Sequence, residues 1–445
     1  MVILTLNCGS SSVKYQVYDW ANKNVLGKGV IERVGQDLSD LEHQATGKEE
    51  HKGKRPCPSH NEAIAWVLEM LIDSEYGCIK SIDEVKAVGH RVVHGGDVFT
   101  KSVIINEDTL KQFEKVSPLA PLHNPANIMG IKSAMLVLPT VPHCAILDTA
   151  WHQTMDETAF TYALPNEWYS KHNVRRYGFH GTSFLYTAKR AAVLLGKANK
   201  DTNVIICHIG NGASICAVKG GVSVDTSMGM TPLEGLVMGS RSGDFDPSIL
   251  NYIGNKEGLT LAELDNAINK KSGLLGITGK FTDRRDVEHG VEKGDKACIL
   301  AQDMECYRLR KYIGSYLAVL EGKVDAIVFT AGVGEFGSAI RLKTLAPLKA
   351  MGIIIDEAKN ALAMTRNAES CISADNSPIK VYVIPTDEEL VMTEDTFALA
   401  NGSYKEHTNY KYIFEDKAYV NKAREEALPK DLAKKPGLDK IIVKS

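Results

Sequence analysis

One local plan occurs twice in this chain, once at the start and once near the middle: a strand, a short turn of small polar residues, a returning strand. The first copy runs from apolar Val2 to Leu6 through Asn7-Cys8-Gly9-Ser10-Ser11-Ser12. It returns along Val13 to Tyr18, where apolar and polar residues alternate as in a half-exposed strand. The second begins with Val204-Ile205-Ile206-Cys207, breaks at His208-Ile209-Gly210-Asn211-Gly212-Ala213-Ser214 and returns through Ile215 to Val218. Small residues let a backbone approach a ligand closely and turn its N–H groups toward it. Further on, Gly239-Ser240-Arg241-Ser242-Gly243-Asp244 sets one guanidinium between glycines. Two such hairpins argue for an internally duplicated architecture with a phosphate-facing loop in each half. An ordinary β-hairpin with a polar crossover is the competing reading of either copy.

Composition narrows the class. The 445 residues suffice for two or three domains, and 44% hydrophobic with 24% charged residues is ordinary for a globular chain. Lys+Arg 52 against Asp+Glu 55 gives a net charge of -3, which makes no electrostatic case for nucleic acid or an anionic membrane. The nine cysteines are dispersed without a Cys-x-x-Cys pair, as expected of thiols in a reducing compartment. The N-terminus lacks the pattern of a signal peptide, and no apolar run approaches the roughly 18 residues of a membrane helix. The expected location is cytoplasmic.

Between the two hairpins several segments bear chemistry. Leu38 to Glu62 is polar and charged and reads as a surface loop, followed by a helix over Ala63 to Ile72. Val85 to Gly96 reads as a strand ending in a glycine pair. His90 and His94 have zinc-ligand spacing only on a helix, and β-branched Val92-Val93 argue against one. Arg91, at the strand end, is placed to hold a carboxylate or phosphate in a bidentate fork, with a surface salt bridge as the alternative. Ala120 to Pro125 forms a two-proline loop before a helix. Asp148 closes the apolar strand Cys144 to Leu147, where open α/β sheets place functional carboxylates; a helix N-cap is the alternative. His180 lies between glycines in Tyr177 to Ser183, ahead of a helix through Ala188 to Leu195.

Two glycine patterns compete for a nucleotide. Gly273 to Thr282 fails as a Walker A loop, because Leu274 and Phe281 stand where Gly and Ser/Thr are required. Gly332-Val333-Gly334-Glu335-Phe336-Gly337 follows the strand Val324 to Phe329 and satisfies G-x-G-x-x-G, with Asp356 beyond it as the acidic partner of a dinucleotide site. That reading explains none of the earlier loops. Val381 to Pro385 is the last strand, and a helix runs from Thr386 toward Ala400. Residues 401 to 445 turn lysine-rich, with a short helix expected over Glu415 to Leu428 and the rest a solvated extension.

Together, Leu6 to Lys14, His90 to Gly96, Ala120 to Ile128, Asp148 to Met155, Tyr177 to Ser183, His208 to Ser214, Asp225 to Pro247, Phe329 to Glu335 and Ile384 to Leu390 resemble the acetate kinase family of the acetate and sugar kinase/actin-like superfamily. The resemblance covers residues 1 to about 400 in the family's order. It implies an α/β fold of two duplicated actin-like (ribonuclease H-like) domains around a central cleft. The first would span 1–147, completed by 386–400; the second, with the nucleotide site, 148–385; and 401–445 would be an extension packed on the first domain or a dimer. It also implies a homodimer that converts acetate and ATP reversibly to acetyl phosphate and ADP, with Mg²⁺ for which Mn²⁺ substitutes, and neither nucleic acid nor membrane as partner.

The resemblance also assigns roles. Arg91 and Arg241 would hold the carboxylate and the migrating phosphoryl group, His180 would donate to the transition state, and Asp148 would position the metal's waters or acetate. Asn7 and Glu388 would stand on the metal side. Val93, Leu122, His123, Phe179 and Pro232 would line the acetate pocket. Lys14 and the run His208, Ile209, Gly210, Asn211, Gly212 would face the phosphates. Asp283, Arg284 and Arg285 would flank the adenosine, with Gly332, Val333, Gly334, Glu335 and Phe336. Three positions depart from the family pattern: Phe336 replaces the usual Asn, Phe184 the usual His and Trp151 the usual Phe. Propionate or butyrate kinase is the near alternative. An actin-like assembly protein would not need Arg91, Arg241 and His180 together, and a dehydrogenase would bind NADH.

Overall fold

The computed structural model describes residues 1–121 and 123–443. The chain divides into two compact units, Met1–Trp151 with Asp387–Tyr412, and His152–Thr386 with Ile413 onward.

In the first unit the strands are β1 (Val2–Gly9), β2 (Ser12–Asp19), β3 (Asn24–Glu32), β4 (Ser39–Ala45), β5 (His51–Arg55), β6 (Val85–Val92), β7 (Val103–Ile104) and β8 (His143–Leu147). They form one sheet in the order β5-β4-β3-β2-β1-β6-β8-β7. The second unit holds β9 (Val204–Ile209), β10 (Ala213–Lys219), β11 (Val222–Thr226), β12 (Ala326–Thr330), β13 (Ser370–Cys371) and β14 (Lys380–Val383), ordered β11-β10-β9-β12-β14-β13. Within both sheets lies the same five-strand plan. β3-β2-β1 and β11-β10-β9 are antiparallel meanders, and β1-β6-β8 and β9-β12-β14 continue in parallel. This is the actin-like, ribonuclease H-like arrangement, present twice. The two hairpins read from the sequence are its first turns, β1–β2 and β9–β10.

The polar stretch after Leu38 is not a loop. β4 and β5 widen the first sheet, and β4 buries Ser39, Leu41, His43 and Ala45 on one face. The period-2 signal is carried there by a serine and a histidine, so apolar periodicity alone misses it. Tyr15 Oη and His43 Nδ1 share a 2.6 Å hydrogen bond and pay the desolvation of that polar face. Two further elements differ from expectation. The G-x-G-x-x-G run is itself a short helix, Ala331–Phe336, and Asp356 caps the helix Glu357–Leu362 by accepting from Lys359 N at 2.9 Å. A capping carboxylate is the structural role of that aspartate, not a ribose contact. The helix expected over Glu415 to Leu428 lies later, at Lys422–Lys434. Beyond Tyr412 the extension packs on the second unit, where Phe414 and Leu438 are wholly buried.

No helix among the described residues is long and apolar enough to cross a membrane, and no disulfide joins the nine cysteines. The cores consist of the strands' inward faces and the helices over them. His90 on β6 and His143 on β8 are buried and share a 2.9 Å ring-to-ring hydrogen bond.

Burial first, and then the neighbouring ring, holds His90 well below its ordinary value of 6.5; burial lowers His143 as well. The folded rings stay neutral where unfolded ones take up protons, so stability is complete above about pH 6.5 and falls as the pH drops below it. The loss is at most about 1.4 kcal/mol per pH unit for each ring. Thermal melts from about pH 7.5 to about pH 5.5 should show a smaller drop for His90→Gln than for the unaltered chain. Equal drops would remove this pair as the cause.

Candidate functional site

Each unit gathers part of the expected site. In the first, Arg91 and Asp148 stand at the ends of the parallel neighbours β6 and β8. They form a fork, Nε to Oδ1 at 2.9 Å and Nη2 to Oδ2 at 2.6 Å. Asp148 is 1% exposed and Arg91 24%. Burial opposes the guanidinium charge, but Asp148, then Glu388 and Glu389, raise its pKa above the ordinary value. The sequence treats Arg91 and Asp148 as separate candidates; they are one ion pair, with Nη1 outside the fork. Glu388 opens the helix Glu388–Ala400 behind the cap Asp387, whose carboxylate accepts from Leu390 N.

Asn7 and Lys14 are direct cross-strand partners on β1 and β2, beside the Gly/Ser turn. Paired residues project from the same face of a sheet, so the two candidates share one edge of the turn. Val93 is buried, and its N–H donates to Asn127 Oδ1 at 3.1 Å. Asn124 accepts from His94 N and donates to His94 O, while Asn127 donates to Cys8 O. These two asparagines at the start of the helix Asn124–Val137 lock the backbone after Arg91 to the first turn. Sequence reading passed them over; an Asn-x-x-Asn step on the first helical turn is the signal that was there. His123 occupies the cap position of that helix, and Leu122 lies outside the described residues.

In the second unit, His180 has φ 58, the left-handed region, at the entrance to the helix Gly181–Leu195. A histidine there costs on the order of 1–3 kcal/mol unless its surroundings impose it. They do: Nδ1 lies 2.8 Å from Ser214 Oγ on β10, and the ring stacks on His208 with centroids 4.0 Å apart. His208 and Ile209 belong to β9, and His208 Nδ1 meets Ser183 Oγ at 2.8 Å. His208 is therefore buried support for His180.

The turn Gly210-Asn211-Gly212 closes on itself through Gly210 N to Gly212 O at 3.1 Å. A Cβ on Gly212 would come within 3.5 Å of His180 Nε2 and 3.6 Å of Arg241 Nη1, so both side chains converge there. Gly239 N donates to Asn211 O, and a Cβ at Gly239 would collide with the Asn211 amide. Glycine is thus required where the arginine loop meets the turn. Arg241 is half-buried; its Nη1 donates to Pro232 O at 3.1 Å, and among the described residues it has no carboxylate partner. Burial lowers its pKa below the ordinary guanidinium value. Phe179 is buried, and its carbonyl meets His152 Nε2 at 3.0 Å.

The Asp283 run divides by role. Asp283 caps the helix Arg284–Glu292 and pairs with exposed Arg285. Arg284 points inward instead, 6% exposed, paired with Glu305 and donating to Gly210 O. Sequence reading placed it beside the adenosine, but its guanidinium braces the glycine turn from behind. Glu305, on the long helix Lys296–Val319, carried no motif to reveal it. Gly332 to Phe336 lies on the helix Ala331–Phe336 directly after β12, with Glu335 buried.

The donors suited to a metal, Asn7, Asp148 and Glu388, all offer oxygen, but Arg91 occupies both oxygens of Asp148. Among the described residues no cluster of three or more His, Cys, Asp or Glu is arranged to hold a metal ion. That donor set fits a hard cation which keeps waters and phosphate oxygens as most of its ligands.

A family description, Acetokinase family, matches residues 2–394. The chain is 57% identical over 443 residues to an acetate kinase of Treponema pallidum, covering 100% of this chain and 99% of the relative. Among solved structures, an acetate kinase of Porphyromonas gingivalis is 44% identical with TM-score 0.85, over 89% of this chain and 99% of that one. A propionate kinase of Francisella tularensis is 41% identical with TM-score 0.83, over the same shares.

Removing the brace should loosen the turn. Arg284→Met leaves Glu305 buried without its partner, a change that typically costs about 3–5 kcal/mol. Calorimetry should show a lowered melting temperature for Arg284→Met and partial recovery in the double variant Arg284→Met/Glu305→Met. Equal melting of Arg284→Met and the unaltered chain would contradict the bracing role.

Proposed function

Because the chain belongs to the Acetokinase family, we propose that it is an acetate kinase, moving the γ-phosphoryl group of ATP directly and reversibly onto acetate to give acetyl phosphate and ADP. The observation that carries this reading is the convergence of Arg241 and His180 on Gly212, with the guanidinium lacking a carboxylate partner among the described residues. A cation held that way suits an anion that arrives with the substrate.

Acetate is already ionised, so no base is needed. The barrier is repulsion between two anions and the charge that spreads over the transferred group's equatorial oxygens. Arg241 answers that charge. His180 Nδ1 is engaged by Ser214 Oγ; with the hydroxyl as donor, the ring proton resides on Nε2, the atom nearest Gly212. His180 then donates from Nε2 to a phosphoryl oxygen. Asp148 fixes the plane of the Arg91 guanidinium, and Nη1 is left to meet the acetate carboxylate. The apolar residues proposed for the methyl group are Val93 of the first unit and Phe179 and Pro232 of the second.

Lys14 and the turn Gly210 to Gly212 receive the phosphates, and Asp283, Arg285 and Gly332 to Phe336 border the adenosine. Magnesium, which enters with ATP and screens its charge, would meet Asn7 and Glu388 largely through water; manganese would serve as well. A homodimer belongs to the same proposal. Tyr252, Leu261 and Tyr307 expose apolar surface on the second unit of the kind such an association covers. A cytoplasmic location agrees with the cysteines' lack of disulfides.

Propionate is the second reading, favoured by the likeness to the Francisella tularensis propionate kinase. One methylene in an apolar pocket is worth only about 1–3 kcal/mol. Acyl phosphate trapped as hydroxamate, with ATP, magnesium and either acetate or propionate, separates the two. We expect acetate to give the higher kcat/KM; a higher value for propionate would reverse the assignment. Arg91→Ala and Arg241→Ala should each bind ATP yet lose about 10²–10³-fold in turnover, the scale of one lost electrostatic donor. Near-normal turnover in either would refute its charge role.

A further inference from the structure

We infer that the C-terminal extension is part of the framework of the nucleotide site, and that Arg424 is a positioning residue for the segment Gly332–Phe336. This rests on the reading of that segment as a border of the adenosine. The family match ends at residue 394, so nothing in that pattern assigns a role to the residues beyond.

From Ile413 on, the extension is anchored on the second unit. Glu415 pairs with Lys189 at 2.8 Å, and Arg190 donates to Phe414 O at 2.8 Å. At the far end, Cys371 N donates to Ile441 O and Val443 N to Glu369 O, both at 2.9 Å. Ile442 bridges to Ser370, so the last described residues lie against the edge strand β13. A solvated tail would make none of these contacts.

Between these anchors runs the helix Lys422–Lys434, capped by Asn421, whose side chain accepts from Arg424 N. It grips the nucleotide segment's supports at two places. Arg424 donates through Nη1 to Pro385 O at 3.0 Å and through Nη2 to Thr386 O at 2.7 Å. The Thr386 backbone, next to the carbonyl that Arg424 holds, in turn favours the charged form of the buried Glu335 carboxyl. About two turns along the helix, Asp431 accepts from Thr365 Oγ1 at 2.5 Å and Asn367 Nδ2 at 2.8 Å. Those residues flank Arg366, whose guanidinium lies 5.4 Å from the centroid of the Phe336 ring. One helix of the extension thus holds the neighbours of both Glu335 and Phe336.

Electrostatics supports the same link. Glu335 is 5% exposed, and burial raises its pKa; Arg424, then Arg366 and the backbone donors, oppose that rise. Taking Arg424 away removes the leading opposing charge. The buried Glu335 carboxyl would then have less to offset its burial, at the short helix Ala331–Phe336 that carries it. The cause is transmitted through backbone and carboxylate, without contact between Arg424 and ATP.

The test is steady-state kinetics on the full chain, varying ATP and acetate separately, with melting temperatures measured alongside. For Arg424→Met we expect KM for ATP to rise about tenfold, the scale of one lost charge-assisted hydrogen bond. KM for acetate and the melting temperature should stay nearly unchanged. Arg424→Lys keeps the charge without the two-pronged grip, so its rise should be smaller but measurable; it is the variant to read if Arg424→Met does not fold. An unchanged KM for ATP in the folded variants overturns the inference. So does a parallel loss for both substrates with a lowered melting temperature, which would mark a structural role only. Phe336→Ala separates the two levels. A raised KM for ATP there with none in the Arg424 variants sinks this inference alone, whereas no change in Phe336→Ala sinks the adenosine reading and this inference with it.

Discussion

A positive charge withheld from any carboxylate among the described residues is what the second unit supports. Arg241 is half-buried and meets a carbonyl oxygen and a thioether in place of an acid. Desolvating a cation without pairing it is costly, and the surroundings hold it there nonetheless. The loop that carries it is locked to the Asn211 backbone, and the glycine turn beneath it is braced by the buried Arg284–Glu305 pair. Arg91 is the contrast. It is neutralised by Asp148 in a two-point fork, which trades affinity for orientation. Under the proposed transfer between two anions, one arginine would supply charge and the other geometry.

The supports follow a common logic in the two units. A strand end or a helix entrance carries the candidate side chain, and an amide, hydroxyl or ring from a neighbouring helix or strand fixes the backbone or ring. Asn124 and Asn127 do this for the residues after Arg91; Ser214 and His208 do it for His180. Each support is buried and hydrogen-bonded, so the site's precision comes from fully satisfied polar groups.

Much of this was legible in the sequence because the duplicated strand–turn–strand units write their periodicity in apolar residues and their turns in glycine. Arg91, Asp148, His180 and Arg241 stand out as candidates by their places beside glycines or at strand ends. What escaped did so for physical reasons. β4 alternates through Ser39 and His43, which apolar counting ignores. Arg284 sits in a charged run, and only the fold shows that it turns inward to Glu305 on a remote helix. The glycine-rich run at Gly332 is helical because β12 leads straight into it, while glycine spacing suggested a loop. The extension looked solvated because its anchors are backbone hydrogen bonds and a few buried apolar residues among many lysines.

The most direct measurement is differential scanning calorimetry of Arg241→Met with and without ATP and acetate. If the guanidinium is held unpaired for an arriving anion, the ligand-free variant should melt no lower than the unaltered chain, because a desolvated charge has been removed. The stabilisation that both ligands together confer should shrink sharply. A ligand-free variant that melts several degrees lower while keeping the full ligand-induced shift would mean that Arg241 serves the fold and not the substrates.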